Sequence, residues 1–231
     1  RHLNRSQRYA PSAIALAYSR AALAALPSTA SPETIAPYQF GLGFNLLWHG
    51  DPAEAQAVLS TALALAEQTG DIVLQARVLT YLAVAARRQG HDAEVETFAR
   101  RGLAVAEAAG MFDYVGACWG SLAWLAWRRG ELADAARLGL AALEAWRLYA
   151  APYPICWQAL WPLVGVSLAQ DRVAEAVAHA RSLLDPAQQA LPAALEQPLA
   201  AALAAWDAGQ PAVAGKLLAQ AVDLTQQMHL D

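Results

Sequence analysis

Apolar residues recur at three- and four-residue spacing along most of the chain, the signature of one buried helix face. The pattern is broken at regular intervals by glycine, aspartate or proline. Gly50-Asp51-Pro52 is the clearest break. A glycine just past a helix can take the left-handed conformation that closes the last carbonyls, and the aspartate after it caps the next helix. Pro52 then falls at the first helical position, where its missing N–H costs nothing. Gly70-Asp71 gives the same stop and start, and Ser31-Pro32 opens the first complete helix pair. A leading helix is expected over 12–26.

The breaks repeat. Gly50-Asp51-Pro52-Ala53-Glu54-Ala55 returns 40 residues later as Gly90-His91-Asp92-Ala93-Glu94-Val95, and after another 40 as Gly130-Glu131-Leu132-Ala133-Asp134-Ala135. Asp171-Arg172-Val173-Ala174-Glu175-Ala176 follows at 41, and Gly209-Gln210-Pro211-Ala212-Val213-Ala214 at 38. Internal periodicity of this size marks stacked supersecondary units. Two helices per unit give five units, over about 32–70, 71–110, 111–150, 151–185 and 186–231. With the leading helix this makes about eleven helices, an all-α solenoid in a single domain.

The units resemble the tetratricopeptide repeat. The likeness rests on a small residue at the eighth position of each first (A) helix (Gly43, Ala83, Ala123, Gly165), preceded by Leu42, Leu82, Leu122 and Val164. Ala55, Ala135, Ala176 and Ala214 match the small residue at the start of each second (B) helix. The unit is longer than the usual 34 residues. The fourth-position tryptophan occurs only as Trp119, and the tyrosine of helix A and the closing proline are missing. Helix pairs of about 40 residues also occur in HEAT-type arrays; the Gly-x-x-x-(Glu/Asp)-Ala turn favours the tetratricopeptide. The resemblance implies a right-handed α-α superhelix with the A helices on its concave side. The long unit is also similar to the sensor regions of large bacterial regulators, such as ATP-dependent LuxR-family activators, which carry ATPase and effector domains on the same chain. No Gly-x-x-x-x-Gly-Lys-Ser/Thr loop is present, and Lys216 is the only lysine. Nucleotide or DNA chemistry would therefore belong to other domains of a parent protein.

Composition agrees with a helical fold: 57 % of residues are hydrophobic, 16 % charged, and alanine is the commonest. The most apolar stretch, 150–169, is interrupted by Pro152, Pro154, Gln158 and Pro162, which argues against a membrane span. A net charge of −4 gives no general attraction to nucleic acid or anionic lipid. Two cysteines, Cys118 and Cys156, make no disulfide framework and fit a reducing, cytoplasmic setting. The chain opens on Arg1, with 1–11 too short for a finished capping element, so a piece of a longer protein is expected.

Register with the family puts aromatics where a solvated groove is normally polar. The candidate groove residues are Phe40, Phe44, Arg77, Thr80, Arg87, Trp124, Trp127, Gln158 and Trp161. Tryptophan offers large contact area with few rotors, and arginine adds directed donors, which suits a peptide or small-molecule effector. The competing reading is packing, with Gly120 opposite Trp161 and Gly165 opposite Trp124. Pro162 either kinks the fourth A helix and frees the Gln158 carbonyl, or marks a helix that starts late. Pro192 and Pro198 are expected to shorten or bend the fifth.

The remaining candidates carry structural readings. Arg87-Arg88 and Arg128-Arg129 oppose the negative ends of their helix dipoles, with Arg87 kept as a candidate anion contact. Arg100-Arg101 falls on a solvated B-helix face. Glu175 and His179 have metal-compatible spacing but no further ligand in register. His49, His91 and His229 stand near helix ends, and His2 in the lead. Glu67 and Glu107 recur at the repeat period as scaffold. No nucleophile is placed beside a base by any motif, so a binding domain without catalysis or cofactor is expected. A homodimer through aromatic faces is one alternative and an α/α-toroid enzyme a remoter one.

Overall fold

The computed structural model describes residues 12–148 and 153–228. The lead at 1–11 with His2, Pro152 and His229 lie outside these residues. Among the described residues there are eleven helices and no strand. They are α1 (Ala13–Ala24), α2 (Pro32–His49), α3 (Pro52–Thr69), α4 (Ile72–Gln89), α5 (Asp92–Ala108) and α6 (Phe112–Arg128). α7 (Leu132–Arg147), α8 (Trp157–Ala169), α9 (Val173–Leu183), α10 (Ala193–Asp207) and α11 (Pro211–Gln227) complete the series. The fold is all-α, and consecutive helices pack as pairs: α2 on α3, α4 on α5, α8 on α9, α10 on α11. The chain divides into two compact units, one through Cys118 and one from Trp119, with the division inside α6.

The turns follow from their sequence. Gly70, Gly90, Gly110, Gly130 and Gly209 adopt φ between 65° and 76°, the left-handed region open to glycine. Each is followed by an N–H that reaches five residues back: Asp71 to the Ala66 carbonyl at 2.9 Å, Met111 to Ala106 at 2.9 Å, Glu131 to Ala126 at 2.9 Å. This closes the orphan carbonyls of the helix end. Asp51 and Asp71 then cap the next helices, accepting from Ala53 N at 2.8 Å and Leu74 N at 2.9 Å. Gly50 is the exception; its φ of −118° is extended.

The fourth repeat turn has Asp171 where the others have glycine, and it takes the same left-handed conformation at φ 56°. Arg172 N still reaches Ser167 O at 2.8 Å, so the turn is kept against the side chain's preference. Asp171→Gly is therefore expected to stabilise the protein by about 0.5–1 kcal/mol, the residual of relieved strain less added unfolded-chain entropy. A urea melt checks it; a lower midpoint would show that the Asp171 carboxylate contributes more than its backbone costs.

In the unit through Cys118, α4 is enclosed: every residue from Val78 to Arg87 is buried. Gly43 lets Leu59 approach so closely that a methyl there would meet the leucine Cγ at 2.7 Å. The B helices are tied along their outer side. Glu67 pairs with Arg101, Arg20 with Glu54 at 2.7 Å, and Gln56 donates to Glu94 at 2.6 Å. Glu67 is thus a scaffold residue, and Arg101 and Arg100 (paired with Glu96 at 2.9 Å) stand on the exposed face.

In the unit from Trp119, Gly139 admits Leu163. α8 begins at Trp157 and runs through Pro162 to Ala169; being the sixth helical residue, Pro162 deprives the Gln158 carbonyl of its i+4 donor. α10 likewise carries Pro198 inside it; it starts at Ala193, directly after Pro192, and its 15 residues are fewer than the 18 of α2 and α4 and the 17 of α6. The connection 184–192 is fastened to the start of α8. Cys156 N donates to Gln188 Oε1 at 3.0 Å, Gln189 N to Pro154 O at 2.7 Å, and Trp157 Nε1 to Gln189 Oε1 at 2.8 Å.

Candidate interaction surface

Five of the nine candidate groove residues are shut away from solvent. Thr80, Gln158 and Trp161 are 0 % exposed, Trp124 1 % and Arg87 2 %. Each lies on an A helix that is buried over most of its circumference: α4, α6 from Val115 to Ala126 apart from Trp119, and α8 from Trp157 to Ser167. A helix buried over most of its circumference belongs to the core, whatever polar residues it carries. The expectation of an open groove is corrected for these five residues.

The large-into-small pairing is present but displaced by about one turn. Gly165 receives Trp127, not Trp124; a Cβ there would lie 2.5 Å from the indole. Gly120 receives Gln158, not Trp161, with the Gln158 Cβ at 3.2 Å from the Cβ it lacks. Both contacts set residues 38 apart side by side, so the 40-residue sequence register overstates the offset between these two helices. Trp124 instead lies under the Arg128 guanidinium, 4.9 Å from the ring centroid.

Phe40 and Phe44 come together with two rings that the groove register did not single out. Phe40, Phe44 and Trp48 stand at i, i+4 and i+8 on α2, half-buried, and Tyr81 of α4 wedges among them. The Phe44 and Tyr81 centroids are 4.9 Å apart with rings at 85°, and Phe44 and Trp48 are 5.8 Å apart at 77°. Edge-to-face contacts of this kind satisfy the ring quadrupoles. The four-residue spacing of Phe40, Phe44 and Trp48 was the available signal; it was masked by reading across helices rather than along one. At the end of this seam Arg88 donates to the Leu47 carbonyl in the last turn of α2, and its burial pulls its pKa down.

The remaining candidates lie elsewhere. Arg77 is half-buried and stacks 5.8 Å over Tyr114, beside Asp113, whose pKa is pushed up by burial and pulled back in part by Arg77. Thr80 donates to Ala76 O at 2.9 Å and lies 3.6 Å from Cys118 Sγ. A small cavity of about 40 Å³ lies between Trp157 and the 189–195 segment. It has room for water but not for an effector.

No family model and no curated protein matches this chain.

The chemistry must therefore be read from the residues. Burial pushes both thiols up to about 12, so neither Cys118 nor Cys156 offers a thiolate near neutral pH. His179 is half-buried; desolvation lowers its pKa, opposed by Glu175. Among the described residues no three His, Cys, Asp or Glu side chains converge, and no helix is long and apolar enough to cross a membrane. The α2–α4 seam offers ring faces and edges beside a guanidinium, which suits apolar and stacking contacts.

Proposed function

We propose that this chain is a non-catalytic binding or scaffold region: a tetratricopeptide-like sensor or protein-interaction segment of a bacterial transcriptional or signalling regulator, working in the cytoplasm. Its ligand is a peptide or small molecule held at the aromatic seam of α2 and α4. The row Phe40, Phe44 and Trp48, half-open to solvent and braced by Tyr81, carries this reading. Rigid rings lose little entropy on contact, and partly exposed ones still have surface to bury. Effector binding would favour one arrangement of the repeats over another and so reach the attached domains of the regulator.

The reading is tested by thermal shift and calorimetry of the whole chain against peptide and metabolite panels. A ligand found this way should lose at least about tenfold in affinity with Trp48→Ala, the cost of a modest hot spot. Circular dichroism shows whether the variant is folded. Full affinity retained by a folded Trp48→Ala and Phe44→Ala pair would remove the seam as the site.

A further inference from the structure

The aromatic seam has an arginine toward each end. Tyr81 meets Phe40 and Phe44, and Arg88 meets the Leu47 carbonyl, so α2 and α4 run parallel. Arg77 stands one turn before Tyr81 on α4, which sets it at the Phe40 end. The two arginines differ in what they already hold. Arg88 donates to the last turn of α2. Arg77 makes no hydrogen bond or ion pair with any described residue.

The contacts of Arg77 are of another kind. Its guanidinium lies over the Tyr114 ring of α6, 5.8 Å from the centroid, and its Nε is buried without a hydrogen-bond partner. Asp113 acts on it only at longer range, without an ion pair. Arginine stays protonated in proteins, so this half-buried side chain is a lasting cation with donors unused. A buried donor left unpaired costs free energy that an arriving acceptor recovers. Stacking on Tyr114 fixes the plane of the guanidinium fork, and a planar fork of fixed orientation matches a carboxylate.

We infer that the ligand of the seam is a small amphipathic carboxylic acid, with its apolar body on Phe40 and Phe44 and its carboxylate on Arg77. The inference rests on the seam being the binding site. Spacing sets the size. Arg77 and Tyr81 are one helical turn apart, so the carboxylate stands about 5 Å from the apolar body. An aryl or acyl acid with a short linker has these dimensions. The Asp113 carboxylate opposes the anion, but from beyond ion-pair range, where solvent weakens it.

Titration of the whole chain with phenylpropanoate, its neutral amide and acetate, followed by ligand-observed NMR, tests this. Phenylpropanoate should bind at least about tenfold tighter than the amide, the worth of a charge-assisted contact, and acetate should not bind. Arg77→Gln should abolish the preference for the acid and leave the affinity of the amide unchanged, whereas Arg77→Lys should keep part of it. Phe44→Ala should weaken acid and amide alike. Circular dichroism shows that each variant is folded, and Arg77→Lys serves if Arg77→Gln is not. Equal binding of acid and amide, or a preference that survives Arg77→Gln, would overturn the inference; if Phe44→Ala still weakens both, the seam remains the site. Acid binding that a folded Phe44→Ala leaves intact would overturn the seam and the inference together. No binding of either compound would overturn the inference, and the wider panels then decide the seam.

Discussion

Trp161→Ala is expected to lower the stability of the protein by about 3–5 kcal/mol, whereas Trp161→Phe should cost little. The indole is fully buried, so truncation removes most of its contacts and leaves a cavity that the packed helices around it refill only in part. Its Nε1 is buried without a hydrogen-bond partner. Phenylalanine keeps most of the apolar volume and deletes a donor that burial leaves unsatisfied, so two effects of about 1–3 kcal/mol oppose each other. A tryptophan that stacked on a ligand in an open groove would behave otherwise. Its alanine variant would lose binding with little change in stability. Urea midpoints for the two variants and the parent decide the matter; a Trp161→Ala protein within about 0.5 kcal/mol of the parent would contradict the buried placement.

The helices were legible because the information that makes them is local. Gly70, Gly90, Gly110, Gly130 and Gly209 each punctuate a run of helical periodicity, and all five take the left-handed turn that such a glycine permits. Even Asp171, where the glycine is replaced, holds the same turn, because the repeat on either side dictates it. The exposure of the A helices was not legible. A pattern along one helix tells which residues are apolar, but not how many neighbours that helix has. Trp124, Trp161 and Thr80 look the same in sequence whether their side of the helix meets water or protein. The displacement of Gly165 from Trp124 to Trp127 has the same origin. Repeat length measures the path along the chain, while contact depends on the axial shift between helices, which sequence counting does not include. Tyr81 was missed for a related reason. Its ring belongs to the α2 seam only through the packing of α4 on α2.

Above about pH 9 the protein should lose stability steeply because of its two cysteines. Burial is the main cause that pushes both thiols up to about 12; Thr80 in the case of Cys118, and Gln188 in that of Cys156, pull them back in part. The sign follows from proton counting. Between the ordinary thiol pKa and 12, the unfolded chain has released protons that the folded chain still holds, so rising pH favours unfolding. Each thiol contributes a slope of about 1.4 kcal/mol per pH unit in that window, so the pair would remove about 5 kcal/mol over two units. Cys118→Ala with Cys156→Ala should flatten the alkaline limb, at the expense of a lower plateau at neutral pH where the buried Cys118 side chain no longer fills its place beside Gly102. At pH 8 a thiol with a pKa near 12 is ionised to about one part in ten thousand, so a disulfide reagent should label the folded protein only as fast as it opens. Equal alkaline slopes for the parent and the double variant, or rapid labelling of both cysteines in the folded state, would show that these side chains are far more accessible to water than their packing implies.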